Sequence, residues 1–255
     1  ILNGDYYETT NTPSRYIFVM LFFKLPIYIL FSIIFLPIVF FIKHKKKPFK
    51  YIFYIFLQIL FPILLILFFK PGINDGLRYF LYIIPFFVIL SSISIFYIFS
   101  SRFIILKIFF IFLFLYNIFI FFKLTPYQYT FINSLNGKFS ANLNKFENDY
   151  WGTSIKELLV KSKKKGIFNN KKFYSIATCG LNTDIIKYYL NKDFMIEYKF
   201  VNTSEKYDYI IFINKIDTSS GNVNLKDNKT CYDQFYKNEI ITIKRNGLRI
   251  AFISN

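Results

Sequence analysis

The sequence predicts a polytopic α-helical membrane region of about four transmembrane helices, followed by a small extracytoplasmic α/β domain. Three observations carry this. Four apolar stretches of spanning length fall between residues 16 and 122. A basic loop holding Lys43, Lys45, Lys46, Lys47 and Lys50 separates the first two and orients the rest. Beyond Lys123 the apolar runs give way to alternating strand and helix patterns. The expected division is therefore a membrane region over 1–123 and a second domain over 124–255.

Composition points the same way. Of 255 residues, 54% are hydrophobic and 23% aromatic, more than a soluble domain of this length carries. The 36 Phe and 21 Tyr, together with abundant Lys and Asn, also fit an AT-rich coding sequence, so single aromatics are not read as functional stacks. A formal net charge of +17 suits either nucleic acid or an anionic membrane. The only dense cluster is the 43–50 loop; elsewhere the lysines are spread out and read as solvated faces. Nucleic acid is not an expected partner. The chain starts without Met, in what reads as a loop, and is taken as the C-terminal part of a longer protein.

Lys24 and Pro26 divide the first apolar region, 16–42; the first span is expected at 25–42, with the stretch RYIFVMLFFK before it lying at the membrane interface as a short amphipathic element. The others are expected at 51–69, 79–99 and 103–122. Pro37, Pro62 and Pro85 fall inside spans, where neighbouring helices and water satisfy the freed carbonyls. With the 43–50 loop cytoplasmic, the loop 70–79 is external, Arg102 is cytoplasmic, and everything after Lys123 is external. The expected location is a bacterial inner (plasma) membrane, multi-pass, with the C-terminal domain periplasmic.

Within the second domain SIKELLVKSKKKG reads as a helix. Ser154 and Glu157 are spaced as a capping box, lysines suit its last turn, and Gly166 stops it. Residues 173–180, 196–202 and 207–214 read as strands and 183–192 as a helix. Residues 239–254 read as a hairpin turning at Asn246-Gly247. This order predicts a small, mostly parallel sheet with an antiparallel edge. Nothing in it looks catalytic. Gly180 stands alone rather than in a phosphate loop, and the sole His is His44 in the basic loop. Cys179 and Cys231 are not at metal spacing. No metal or cofactor is expected. The two cysteines either pair, if the domain is periplasmic, or sit as small buried residues.

Three stretches, taken together, carry a family resemblance. NDGLRYFLYIIPFFVILSS (74–92) resembles the external loop and Pro-containing span of bacterial dolichyl-phosphate-mannose–protein mannosyltransferase-like enzymes, glycosyltransferase family 39, with the C-type glycosyltransferase fold. TPYQYTFINSLNGKFSANLNKFENDYWGTSIKELL (125–159) is similar to the segment after their last span, with its Asp-Tyr-Trp-Gly-x-Ser signature. NGDYYETTNTPSRYIFVMLFFKLPIYIL (3–30) resembles the loop and interfacial helix before a span entry. The resemblance implies transfer of a sugar from a polyprenyl- or dolichyl-phosphate carrier, on the external leaflet, to a protein, lipid or glycan acceptor. The family's catalytic Asp lies in a first external loop that these residues do not include. No catalytic residue is therefore assigned here, and the fragment alone is expected to be inactive.

Arg78 is the leading substrate-binding candidate, because an external Arg at a span entry can hold a lipid phosphate bidentately and stabilise the phosphate leaving group. An interfacial Arg reaching headgroups is the ordinary reading. Asp75 is placed to orient Arg78 or an acceptor hydroxyl, or simply to cap a helix. Tyr79 and Tyr82 line a carrier groove or belong to an aromatic belt. Asp149, Tyr150 and Trp151 carry the signature, with Trp151 expected to pack the domain onto the membrane region rather than to stack on carbohydrate. Asp5 and Glu8 form an acidic loop pair, ordinarily just solvated. The expected partners are a polyprenyl-phosphate-linked sugar, membrane lipids and the acceptor. The alternative function is a non-catalytic membrane-anchored subunit of an envelope polysaccharide assembly system. A transporter fits less well, since the spans carry few ionisable groups and no inverted repeat.

Overall fold

A computed structural model describes residues 1–7, 11–43, 49–73, 76–149, 151–169, 173–194, 196–215, 230–236 and 238–255, without the side chains of 39–43 and 49. The chain divides into a helical unit, Tyr7–Lys123 with Phe131–Gly137, and a sheet unit, Ile1–Tyr6, Leu124–Thr130 and Lys138–Asn255.

The helical unit starts with α1, Tyr16–Lys24, and α2, Ile27–Lys43, followed by α3, Phe49–Phe69. A 3₁₀ turn, Arg78–Ile83, leads into α4, Ile84–Phe99, and α5 is Ile104–Leu124. Lys50–Phe69, Arg78–Phe99 and Ile104–Leu124 are each long and apolar enough to cross a membrane; the count reaches four if α1 and α2 form one broken span, bent by 107°. The break has a local cause. Leu25 is extended (φ −77°, ψ 140°), the backbone that a residue before proline prefers, and Pro26 opens the next helix. Pro37 and Pro62 lie within α2 and α3. Pro85 lies within the span-length segment Arg78–Phe99 as expected, at the start of α4, where no intrahelical partner awaits its missing N–H.

Several buried polar groups of this unit pair with one another or with the backbone, although the Ser94 hydroxyl has no partner among the described residues. Asn133, 2% exposed, closes the α1–α2 break. Its amide donates to the carbonyls of Phe22 (2.6 Å) and Leu25 (2.9 Å), and its backbone N–H to Phe23 (2.8 Å). Three carbonyls freed by the bend thus share one partner. Between α2 and α4 the buried Ser32 and Ser91 join hydroxyls at 2.6 Å, small residues that let two helices approach closely. Edge-to-face pairs Tyr28–Phe114, Phe31–Phe109 and Phe35–Phe110 join α2 to α5.

The sheet unit contains α6 (Ile155–Lys164), β1 (Phe173–Cys179), α7 (Thr183–Asp193), β2 (Glu197–Val201) and β3 (Tyr209–Ile213). The short α8 (Cys231–Phe235), β4 (Glu239–Arg245) and β5 (Leu248–Ser254) follow. The strand order is β2-β1-β3-β5-β4. Two pairings are parallel and two antiparallel, so the sheet is mixed rather than mostly parallel. The hairpin's second strand, not its first, meets β3. Sequence explains this: β5 (LRIAFIS) is buried along nearly its whole length, while β4 (EIITIKR) carries charge at both ends, is buried only at Ile241 and Ile243, and takes the edge. The turn has Asn246 at φ 48° and Gly247 at φ 81°, both positive as a type I′ hairpin turn requires. Ile155, Leu158, Leu159, Ile186 and Leu190 of the helices pack with Ile176, Ile211, Phe212, Ile250 and Phe252 of the sheet in one core.

The two cysteines are paired: Cys179, at the end of β1, is bonded to Cys231 at the start of α8. The capping box expected at Ser154 and Glu157 does not form, because the Ser154 backbone is already helical (φ −78°, ψ −10°) and its hydroxyl is turned elsewhere. The true capping box is on α8, between Thr230 and Asp233.

Candidate functional site

Arg78 owes its position to the loop before it. Thr12 Oγ1 donates to the carbonyl of Ile73 at 3.0 Å. The Tyr16 hydroxyl accepts from the Gly76 N–H at 3.0 Å and donates to the Gly76 carbonyl at 3.3 Å. Gly76 has φ +69°, a conformation that strains other residues. Tyr16 itself is buried at the head of α1, so the loop is tied to a fixed element. Leu77, Phe80 and Ile83 bury one side of the following 3₁₀ turn and leave Arg78 and Tyr79 on the other. The Arg78 guanidinium lies 5.7 Å from the Tyr79 ring centroid, within cation–π range. Tyr79 and Tyr82 are both about half exposed. In the same unit Arg15 Nη2 donates to the Tyr7 hydroxyl at 2.6 Å. This places a planar, permanently charged donor beside aromatic surface at the entry of a span-length helix, an arrangement able to hold a phosphate or carboxylate. Asp75 and Glu8 lie outside the described residues; Asp5 belongs to the sheet unit, where it closes a backbone bridge to Leu2.

The signature stretch serves a different end. Asp149 is 2% exposed. Its carboxylate accepts from the Thr153 N–H (2.9 Å), the Thr153 hydroxyl (3.2 Å) and the Ser154 N–H (2.9 Å). It also accepts from the hydroxyls of Ser154 and Tyr129. Asp149 thus caps α6 from outside the helix, and this takes the hydroxyl that a capping box would have used. Gly152 sits at φ +66°, a left-handed conformation that strains other residues, so the glycine of this stretch is a backbone requirement.

One turn further on, Glu157 Oε2 accepts from the Tyr127 hydroxyl at 2.8 Å and from Arg245, while Lys161 pairs with Oε1 at 2.9 Å. Arg245 Nε also donates to the Thr125 carbonyl at 2.9 Å, and its guanidinium lies over the Tyr127 ring. The stretch TPYQY is therefore joined to Asp149 through Tyr129 and to α6 through Tyr127–Glu157. Burial raises the Tyr127 and Tyr129 phenols, with the neighbouring carboxylates adding to the effect.

These carboxylates are committed to the fold, not presented to a substrate. Trp151 is 55% exposed. Tyr150 lies outside the described residues. Among the described residues no three His, Cys, Asp or Glu side chains converge as a metal site would require. Sequence reading missed Asn133 and the Glu157–Arg245 pair, whose partners lie some ninety to over a hundred residues away; the only available signal was a lone Asn in an aromatic run. Comparison of the chain with family models, with curated proteins and with solved structures found no match.

Proposed function

We propose that the chain is part of an integral-membrane glycosyltransferase that moves a sugar from a polyprenyl-phosphate donor to a protein, lipid or glycan acceptor on the external leaflet. Arg78, with Tyr79 and Asp75, binds the donor phosphate. The observation that carries this reading is Arg78: a guanidinium on a hydrogen-bonded loop at the mouth of a span-length apolar helix. The sheet unit is external. Its buried Cys179–Cys231 disulfide supports that side, since such bonds persist in oxidising compartments, and the basic 43–50 loop independently favours the same orientation. The chemistry of transfer belongs to an acidic residue beyond these residues.

The test is a lipid-binding measurement on the chain reconstituted in nanodiscs. Polyprenyl phosphate should bind more tightly than the neutral polyprenol, and Arg78→Ala should cost about tenfold of that preference, the worth of one charge-assisted contact. Equal binding of phosphate and alcohol, or an Arg78→Ala protein that keeps the preference, defeats the assignment. A second reading, a non-catalytic anchor in envelope polysaccharide assembly, is favoured by one observation: Asp149, Tyr127 and Tyr129 of the signature stretch are all consumed by structural bonds.

A further inference from the structure

The sheet unit carries a basic groove that plays no part in donor binding by Arg78. Lys161 and Lys164 of the last turn of α6, with Lys165 just after it, form one wall, and Glu239, Thr242 and Lys244 of β4 the other, around a space of about 490 Å³. Four lysines face one glutamate. Complementing the α6 macrodipole accounts for a basic last turn, but not for Lys244 on a separate strand. Internal bonds hold the ammonium groups in place: Lys161 Nζ sits 2.9 Å from Glu157, Lys165 Nζ donates to the Ile240 carbonyl at 3.4 Å, and Lys244 Nζ lies 3.9 Å from Glu239. Glu157 is shared with Arg245 and Glu239 can balance only one ammonium, so the groove keeps an excess of positive charge.

Because β4 is an edge strand, an acidic peptide adding itself as a further strand is the obvious rival occupant. Two register shifts, between Glu239 and Ile241 and between Ile243 and Lys244, break the regularity such a ladder needs. A ligand bound through point charges needs no register. We propose that this groove binds a phosphate-bearing polyanion, each ammonium meeting phosphoryl oxygens and releasing a counterion. The shared chemistry is the phosphodiester or polyphosphate group, borne by a soluble polymer or by lipid headgroups.

The test uses the full chain in phosphatidylcholine nanodiscs, with short-chain polyphosphate as the probe, titrated at several salt concentrations. Lys164→Gln/Lys165→Gln should lower the affinity at least about tenfold and make the log–log salt slope shallower by roughly 1.4, about 0.7 for each ammonium–phosphate pair removed. Lys187→Gln/Lys192→Gln on α7 removes the same charge elsewhere and should change the affinity less than about twofold. Adding phosphatidylglycerol to the disc separates the sources: competition with polyphosphate identifies headgroups, and no competition identifies a soluble polymer. Equal losses in both double variants would reduce the effect to net charge and overturn the site. So would a polyglutamate peptide binding as tightly as polyphosphate with the same lysine dependence.

Discussion

In the helical unit Phe68, Ile105 and Phe122 stand 82, 80 and 70% exposed; in the sheet unit Ile211, Phe212 and Phe252 are fully buried. The two units obey opposite rules about which surface must be hidden. In water, apolar faces the length of α3 and α5 would exceed any patch a soluble monomer tolerates. In hydrocarbon the cost falls on polar groups, and the helical unit shows that economy: Asn133 closes three carbonyls and Ser32 meets Ser91. The sheet unit hides its apolar residues, sets charged side chains on its edge strand and adds a covalent bond. The difference is the one that two media would require, and each rule can be broken separately.

The disulfide gives the largest expected effect. Cys179 and Cys231 are 52 residues apart, so the bond removes about 4 kcal/mol of unfolded-state entropy on the loop-closure model. Reducing the chain in nanodiscs, or replacing both cysteines by Ser, should lower the unfolding midpoint of the sheet unit by roughly 15 °C. The helical far-UV signal of the spans should persist. Simultaneous loss of both signals would show one cooperative block and erase the contrast between the units.

Asn133 is the corresponding weak point of the helical unit. Asn133→Leu keeps the branched shape but strips the side-chain donors from the Phe22 and Leu25 carbonyls, and should cost about 3 kcal/mol. Asn133→Asp separates donation from size, because a carboxylate only accepts. Both variants should lower the detergent-resistance temperature of the spans and leave the sheet unit's unfolding unchanged. An Asn133→Asp protein as stable as the parent would mean that the bend holds without that amide.

How much of this was legible in sequence follows from the range of each interaction. The span positions, the helices at α6 and α7, and the Asn246-Gly247 hairpin are set by neighbours within a few residues, and periodicity and turn chemistry report those directly. The place of β5 inside the sheet was also written, in its unbroken apolar run, but treating the hairpin as one edge element hid it. The cap of α6 was misread because Ser154 and Glu157 fit a local rule, while Asp149 outcompetes it with a charged acceptor five residues upstream. Asn133 and Arg245 act across about 110 and 90 residues, and no local pattern encodes such partners. Arg78 was singled out because charge beside an apolar span is itself a local signal, whereas Tyr16, which bonds to its loop, carried none.

The smallest expected effect is acid sensitivity, and it sharpens the contrast further. Burial tends to raise the Glu157 carboxyl, but hydrogen bonds from Lys161, Tyr127 and Arg245 outweigh it and hold the group below the usual glutamate range. Glu239 is lowered in the same way, burial being outweighed by Thr242, Tyr236 and the nearby Lys244 and Arg249 charges. A folded pKa below the unfolded one gives stability that is fully present above the unfolded value of 4.5 and is lost as the pH falls through the folded value. The sheet unit's midpoint should therefore drop on acidification from about pH 5 to about pH 3. Glu157, being partly solvated, should account for no more than about 1 kcal/mol of this. Glu157→Gln should flatten that share of the profile while lowering stability at neutral pH. The only acidic residues in the helical unit's sequence are Glu8 and Asp75, so its unfolding should barely respond over the same range. A parallel decline of both units would mean that acid acts on the membrane or on net charge, rather than on the carboxylates that fasten α6 to β4.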